Sequence, residues 1–223
     1  DILASGKTVV RRLTIPEGLT VAEVIDRLNI AEGLTGSGGE PDEGSLLPET
    51  YHFSYGDSRE ELVKRMQSSM REAVTRLWGM RSPDLPIKTP EEAVILASIV
   101  ERETGIPQER GLVAGVFVNR LKRGMRLQSD PTVAYGIAPG GLDRPLTRAD
   151  LKEPTPYNTY VIKGLPPTPI ANPGIDAIRA VMNPVETDYI YFVADGSGGH
   201  AFARTLDDHN RNVRKWRKIQ NGN

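Results

Sequence analysis

The spacing of apolar and polar positions divides this chain into helices joined by turn-rich stretches, with extended segments towards each end. Val9, Val10 and Leu13 mark a strand over Thr8–Thr14. A helix is predicted to open at Thr20, where Thr20 and Glu23 have capping-box spacing ahead of Val21, Val24, Ile25 and Leu28. Residues 33–44 hold five glycines and little apolar content, so they form a loop and the expected edge of a small N-terminal unit. Leu46–Tyr55 then reads as a short extended segment. Asp57–Trp78 reads as a long helix with Leu62, Met66, Met70, Val74 and Leu77 along one stripe.

The strongest helical pattern lies in the middle of the chain. Thr89-Pro90-Glu91-Glu92 supplies an N-cap, a proline in the first turn and a capping glutamate in order. Ala93 to Val100 follows without a charge, so this helix is expected to be buried on nearly every side until it stops near Gly105. A further helix spans about Gln108 to Lys122, with Gly124 placed to end it. From Pro131 to Pro173 prolines punctuate the chain, which suggests a long rigid surface shaped for binding. Asn172-Pro173 opens a short helix that ends at Asn183-Pro184. Tyr189–Ala194 and His200–Arg204, joined by Asp195-Gly196-Ser197-Gly198-Gly199, read as a β-hairpin, and Thr205–Ile219 closes the chain as a helix. The fold class this predicts is α+β, helix-rich with a small sheet and hairpin. The expected division is residues 1–44 as a small N-terminal subdomain and linker, and 45–223 as the main domain.

Composition narrows the possible chemistry. The chain has 223 residues, 38% hydrophobic and 26% charged, the profile of a globular protein large enough for a substantial core. A net charge of −1 offers no general attraction to nucleic acid or anionic lipid. With no cysteine there is no disulfide, thiolate site or cysteine nucleophile, and His52, His200 and His209 show no metal-ligand spacing. No metal or cofactor is therefore expected. The chain begins at Asp1 in mid-pattern, without a methionine or signal peptide, and is expected to be a truncated soluble piece.

Against this background the charge at the end of the apolar helix stands out. Glu101 follows eight apolar or small residues and lies one turn beyond Ala97. A carboxyl set against apolar surface has its neutral form favoured, which suits a general acid. Its bland alternative is an ion pair with Arg102 or Arg120. Glu103 is about 200° further round the helix, so the two carboxylates cannot share a face, and replacing Glu103 is expected to be mild. Next come Leu127-Gln128-Ser129-Asp130-Pro131-Thr132-Val133-Ala134-Tyr135-Gly136 and Tyr157-Asn158-Thr159-Tyr160 with Gly164-Leu165-Pro166-Pro167. Gln128, Ser129, Thr132 and Tyr135 carry the amide and hydroxyl groups that carbohydrate sites use, and tyrosines and prolines can wall a groove; Asp130-Pro131 can equally be a plain helix cap. No GxSxG elbow supports a serine nucleophile, and the Gly196–Gly199 stretch lacks a P-loop lysine. The basic residues Arg211, Arg214, Lys215, Arg217 and Lys218 read as a solvated helix end.

Taken with Ala97-Ser98-Ile99-Val100-Glu101-Arg102-Glu103-Thr104, Val116-Phe117-Val118-Asn119-Arg120-Leu121, Tyr191-Phe192-Val193-Ala194-Asp195 and Gly199-His200-Ala201-Phe202, these blocks resemble, in order, the endolytic murein transglycosylase (YceG-like) family. The likeness runs from about Leu46 to the C-terminus. The stretch before it, with Thr14-Ile15-Pro16-Glu17-Gly18, resembles part of the family's LysM-like subdomain. The resemblance implies a lytic enzyme that cuts between N-acetylmuramic acid and N-acetylglucosamine without water, leaving 1,6-anhydro ends. It places the family's catalytic glutamate on Glu101, acting as acid and then base. It also implies substrate-holding or orienting roles for Gln128, Ser129, Asp130, Thr132, Tyr135, Tyr157, Asn158, Thr159 and Tyr160, and one for Glu49, where relatives often carry aspartate. Family members face the cell wall from the periplasmic or extracytoplasmic side of the inner membrane, anchored by an N-terminal transmembrane helix absent from this sequence. Their partners are peptidoglycan strands, with cell-wall synthesis enzymes such as penicillin-binding proteins as candidates. Two other readings remain: a hydrolytic muramidase using Glu49, Glu103 or Asp130 to activate water, and a non-catalytic wall-binding module.

Overall fold

The structure, a computed structural model, describes residues 9–222. In chain order its elements are β1 (Val10–Thr14), α1 (Val21–Ile30), β2 (Thr50–Ser54), α2 (Arg59–Gly79), α3 (Pro90–Glu103), α4 (Pro107–Lys122), α5 (Asp130–Ile137), a 3-10 turn (Asp150–Lys152), α6 (Ile175–Met182), β3 (Tyr191–Ala194), β4 (His200–Ala203) and α7 (Leu206–Gln220). Among the described residues these are seven helices and two two-stranded antiparallel sheets, an α+β fold. Thr8, the predicted start of the first strand, lies outside the described residues.

Local signals set most of the boundaries. Thr20 caps α1: its hydroxyl accepts from the Glu23 N–H at 3.3 Å, and its own N–H donates to the Glu23 carboxylate at 2.7 Å. Thr89 caps α3 through the Glu92 N–H, while the Glu92 carboxylate reaches back to the Lys88 N–H. Gly124 (φ +63°) follows the end of α4 in the left-handed conformation that favours glycine there. The cap of α5 is Ser129, and Asp130 is already inside the helix, so Asp130 is free of the capping role its sequence offered.

Packing does not follow the boundary expected at residue 44. β1 pairs with β2 across it, from Val10 opposite Ser54 to Thr14 opposite Thr50. The small core that this sheet covers, Ile15, Val24, Leu28, Leu46, Tyr51 and Phe53, is completed by Leu62, Val63 and Met66 from the first half of α2. The second half of α2 gives Met70, Val74 and Leu77 to the main core. One apolar stripe thus serves two cores, and its continuity in sequence concealed the division. The glycine-rich loop is packed too: Gly44 has φ +77°, and a Cβ there would come within 2.6 Å of the Pro169 ring, so only glycine fits.

In the main core every residue of α3 from Ala93 to Val100 is buried, as the uncharged run predicts. α3 lies against α4 and α6. The proline-rich stretch is partly a wall and partly core, for Ile170, Ala171 and Asn172 are buried. Asn172 ties the two cores together. Its side chain accepts from the Leu46 N–H (2.9 Å) and donates to the Leu19 carbonyl (3.0 Å), while its backbone bonds Gly18 and Leu19. The β3–β4 hairpin stands beside α4 through β3, α7 packs on the hairpin, and together they complete one wall of the cleft described next.

Candidate active site

α3 ends in two carboxylates that point to different places. Glu101 turns towards the N-terminal unit. Its side chain is 5% exposed, one oxygen accepts from Arg110 at 3.2 Å, and the other accepts from the Gly174 N–H at 2.9 Å. The Arg110 guanidinium also meets Glu17 at 3.3 Å and Asp176 at 3.8 Å. Burial pushes the Glu101 carboxyl up, the Gly174 hydrogen bond opposes this, Glu17 adds to the rise and Arg110 opposes it. Neither Arg102 nor Arg120 is its partner; Arg102 donates to the Gly18 carbonyl at 3.0 Å instead. Glu101 is thus committed to an ion-paired junction between α3, α4, α6 and the Glu17–Gly18 turn. Burial raises this carboxyl as the sequence led one to expect; what differs is its partner, which is Arg110 from α4 in place of Arg102 or Arg120.

Glu103 faces a cleft of about 580 Å³. Around it the cleft is lined by Arg120, Gln128, Asp130, Tyr160 and His200. The Ser129 hydroxyl donates to Glu103 Oε1 at 2.5 Å. Burial pushes the Glu103 carboxyl up to about 7; the Ser129 hydrogen bond counters this, the Asp130 charge adds to it, and His200 and Arg120 counter it in turn. That is the state a general acid needs at neutral pH, and here a cavity lies in front of it.

The partners of Glu103 are held by the loop before α5. Arg120 Nη1 donates to the Leu127 carbonyl at 2.6 Å, the Gln128 N–H donates to the Thr159 carbonyl at 3.1 Å, and the Ser129 N–H donates to Thr159 Oγ1 at 2.9 Å. Pinned on both sides, Gln128 adopts φ +52°, a left-handed conformation that costs a non-glycine residue about 1 kcal/mol or more. The Thr132 and Thr159 hydroxyls, 2.9 Å apart and fully buried, support this bend from below. Tyr160 donates its hydroxyl to Asp130 at 2.6 Å on the cleft wall.

The sequence-selected residues therefore separate into groups. Gln128, Asp130 and Tyr160 line the cleft, and Ser129 reaches its carboxyl. Thr132 and Thr159 brace the loop, and Asn158 is buried, its amide donating to the Asp150 and Glu153 carbonyls. Tyr135 and Tyr157 pack edge to face at 5.1 Å, with their hydroxyls on Glu43 and Thr168, away from the cleft lining. Glu49 is exposed just before β2, and its carbonyl accepts from the Ile15 N–H. Tyr135, Tyr157, Asn158 and Glu49 thus stand outside the cleft lining, the first three in packing and hydrogen bonds behind it and the last beside the small sheet.

Sequence reasoning missed part of the cleft. Beyond Glu103 these residues are His200, whose Nδ1 lies 2.7 Å from Glu109, together with Tyr191, His209 and Trp216. The hairpin and last helix bring them in from far along the chain, a distance no local periodicity spans. No three His, Cys, Asp or Glu side chains among the described residues gather as a metal site.

A family model described as YceG-like matches residues 1–215. The chain belongs to the YceG-like family. Over 183 residues this YceG-like chain is 39% identical to a Bacillus subtilis (strain 168) protein named endolytic murein transglycosylase, an alignment covering 81% of the chain and 49% of that protein. A Streptococcus pneumoniae serotype 2 protein of the same name is 36% identical over 178 residues, covering 77% of the chain and 31% of that protein. The chain thus spans about half the length of the first and a third of the second. A 2.6 Å crystal structure of a putative YceG-like protein from Listeria monocytogenes has the same fold, with a TM-score of 0.72 and 31% identity over 92% of this chain and 77% of that one. No helix among the described residues is long and apolar enough to cross a membrane.

Proposed function

We propose that this chain is the glycan-cutting part of a peptidoglycan lytic transglycosylase, with Glu103 as its acid and base. The observation that carries the reading is the placement of Glu103, hydrogen-bonded by Ser129, on a cleft of about 580 Å³ lined also by Gln128, Tyr160, Tyr191 and Trp216; burial pushes this carboxyl up to about 7. The name shared by the Bacillus and Streptococcus relatives supports the reaction class. Acid chemistry belongs with Glu103 and not Glu101, since Glu101 is shut into an ion pair and does not line the cleft.

In the reaction, protonated Glu103 gives its proton to the oxygen between N-acetylmuramic acid and N-acetylglucosamine. The C1–O bond breaks and an oxocarbenium-like centre develops at C1. The muramyl C6 oxygen bonds to C1, and its proton passes to the Glu103 carboxylate, which restores the acid. Atoms balance without water, and one carboxyl suffices. Ser129 engages Oε1 and leaves Oε2 to carry the proton. Gln128 and the Asp130–Tyr160 pair stand where sugar hydroxyl and acetamido groups can be held. The substrate places this activity on the outer side of the cell membrane.

Mass analysis of digested peptidoglycan tests the reaction. Anhydromuramyl ends are expected; products heavier by one water would instead assign a hydrolytic muramidase, for which Asp130 is the second carboxylate in the cleft. No turnover at all would leave a wall-binding module.

The pH profile tests the acid. Its carboxyl is raised, so the protonated form persists to about 7 and kcat/KM should fall as pH rises beyond that. Asp130 raises this carboxyl, so Asp130→Asn should move the alkaline limb towards lower pH. A limb at the ordinary glutamate position, about 4.3, would show a solvated Glu103 and overturn the assignment.

A further inference from the structure

The far wall of the cleft is the inner face of α7. Leu206, His209, Asn210, Val213 and Trp216 line it at spacings of three and four, one side of a helix running about 15 Å along the opening. This face belongs to neither core: α7 has no buried residue and packs on the β3–β4 hairpin alone among its principal neighbours. Beside it Tyr191 stacks on the His209 ring with centroids 5.0 Å apart, and Arg120 lies over the Tyr191 ring at 5.3 Å from its centroid. An amphipathic helix normally turns such a face into a core. Here it is turned into the same cavity that holds Glu103.

With Glu103 protonated, Asp130 and Arg120 oppose one another in this cavity, so it offers no field for a strongly charged ligand. Its remaining surface, aromatic and aliphatic with an amide and an imidazole, suits a neutral ligand with apolar faces and polar edges. A pyranose ring has that character. We propose that α7, through Trp216, is a sugar-stacking platform of the cleft that holds the glycan strand to one side of the bond being cut. The proposal rests on the lytic reading above and adds a subsite to it. Because the platform contacts rings that do not react, it binds ground state and transition state alike, and its loss shows in KM and not in kcat.

The test uses soluble, peptide-free glycan strands. Trp216→Ala should raise KM about tenfold, the size of one ordinary aromatic contact, with kcat within about threefold. Trp216→Phe should restore most of the loss. Since α7 contributes nothing to either core, both variants should melt close to wild type. Val213→Asn, on the same face, is a second variant should Trp216→Ala fail to fold. A direct readout comes from Glu103→Gln, which should bind strands without cutting them. The chain has two tryptophans, and Trp78 lies under Arg81 on α2. Emission lost in the Trp216→Phe background therefore reports Trp216 alone. That emission should shift with glycan and saturate. If strands are bound and cut with unchanged KM, and Trp216 emission does not move, the platform is overturned and the lytic reading stands. If the wild type neither binds nor cuts strands, both fall.

Discussion

Glu103→Gln is expected to reduce glycan cleavage about a thousandfold while the protein stays folded, since positioned acid–base groups contribute about a hundredfold to ten-thousandfold. The amide keeps the shape of the side chain and can still accept from Ser129, but has no proton of useful acidity. Glu101→Gln should keep turnover within about tenfold of wild type, because Glu101 does not line the cleft and the amide oxygen can still accept from one of its two donors, Arg110 or the Gly174 N–H. The comparison is steady-state turnover on soluble strands, with circular dichroism as the fold control. The opposite ranking, Glu101 lost and Glu103 tolerated, would sink the site assignment.

The second large effect concerns stability. Arg110 is 8% exposed in its side chain and is shared by Glu101, Glu17 and Asp176. Arg110→Met leaves the buried Glu101 facing two like charges without its cation, a loss of about 3–5 kcal/mol by the usual cost of breaking a buried pair. Typical domains have about 5–15 kcal/mol in total, so the single variant will be marginal. Arg110→Met with Glu101→Gln should recover much of the loss, because the orphaned charge is gone. Urea unfolding of the three proteins at pH 7 checks this. The sign with pH is fixed as well. The Glu101 carboxyl is already raised in the native state, and removing Arg110 raises it further, so the variant should lose stability as pH rises above the ordinary glutamate range. A single variant within about 1 kcal/mol of wild type would mean the cluster is solvated like a surface pair.

Much of the fold was legible in the chain because its causes are local. The capping residues at Thr20 and Thr89, the glycine after α4, the hairpin turn at Asp195–Gly199 and the stripe of α2 each act within a few residues, and each appears where the pattern puts it. The unbroken run from Ala93 to Val100 likewise determined that α3 is central. That same run is why the site could not be read from it. A helix buried on all sides has no apolar phase, so the sequence set Glu101 and Glu103 on different faces without showing which face meets a cleft, and the expectation fell on Glu101 with Glu103 mild. Only tertiary packing decided between them. Arg110 on α4 and the Gly174 N–H before α6 close over Glu101, while the hairpin, α7 and the loop held by Thr159 leave a cavity before Glu103. The extent of the small N-terminal core was decided in the same way, by β1 pairing with β2 across the glycine loop and by Leu62, Val63 and Met66 arriving from α2. Sequence determined which residues carry charge and where helices begin and end; which carboxyl meets a cation and which meets a cleft depends on contacts between segments far apart in the chain.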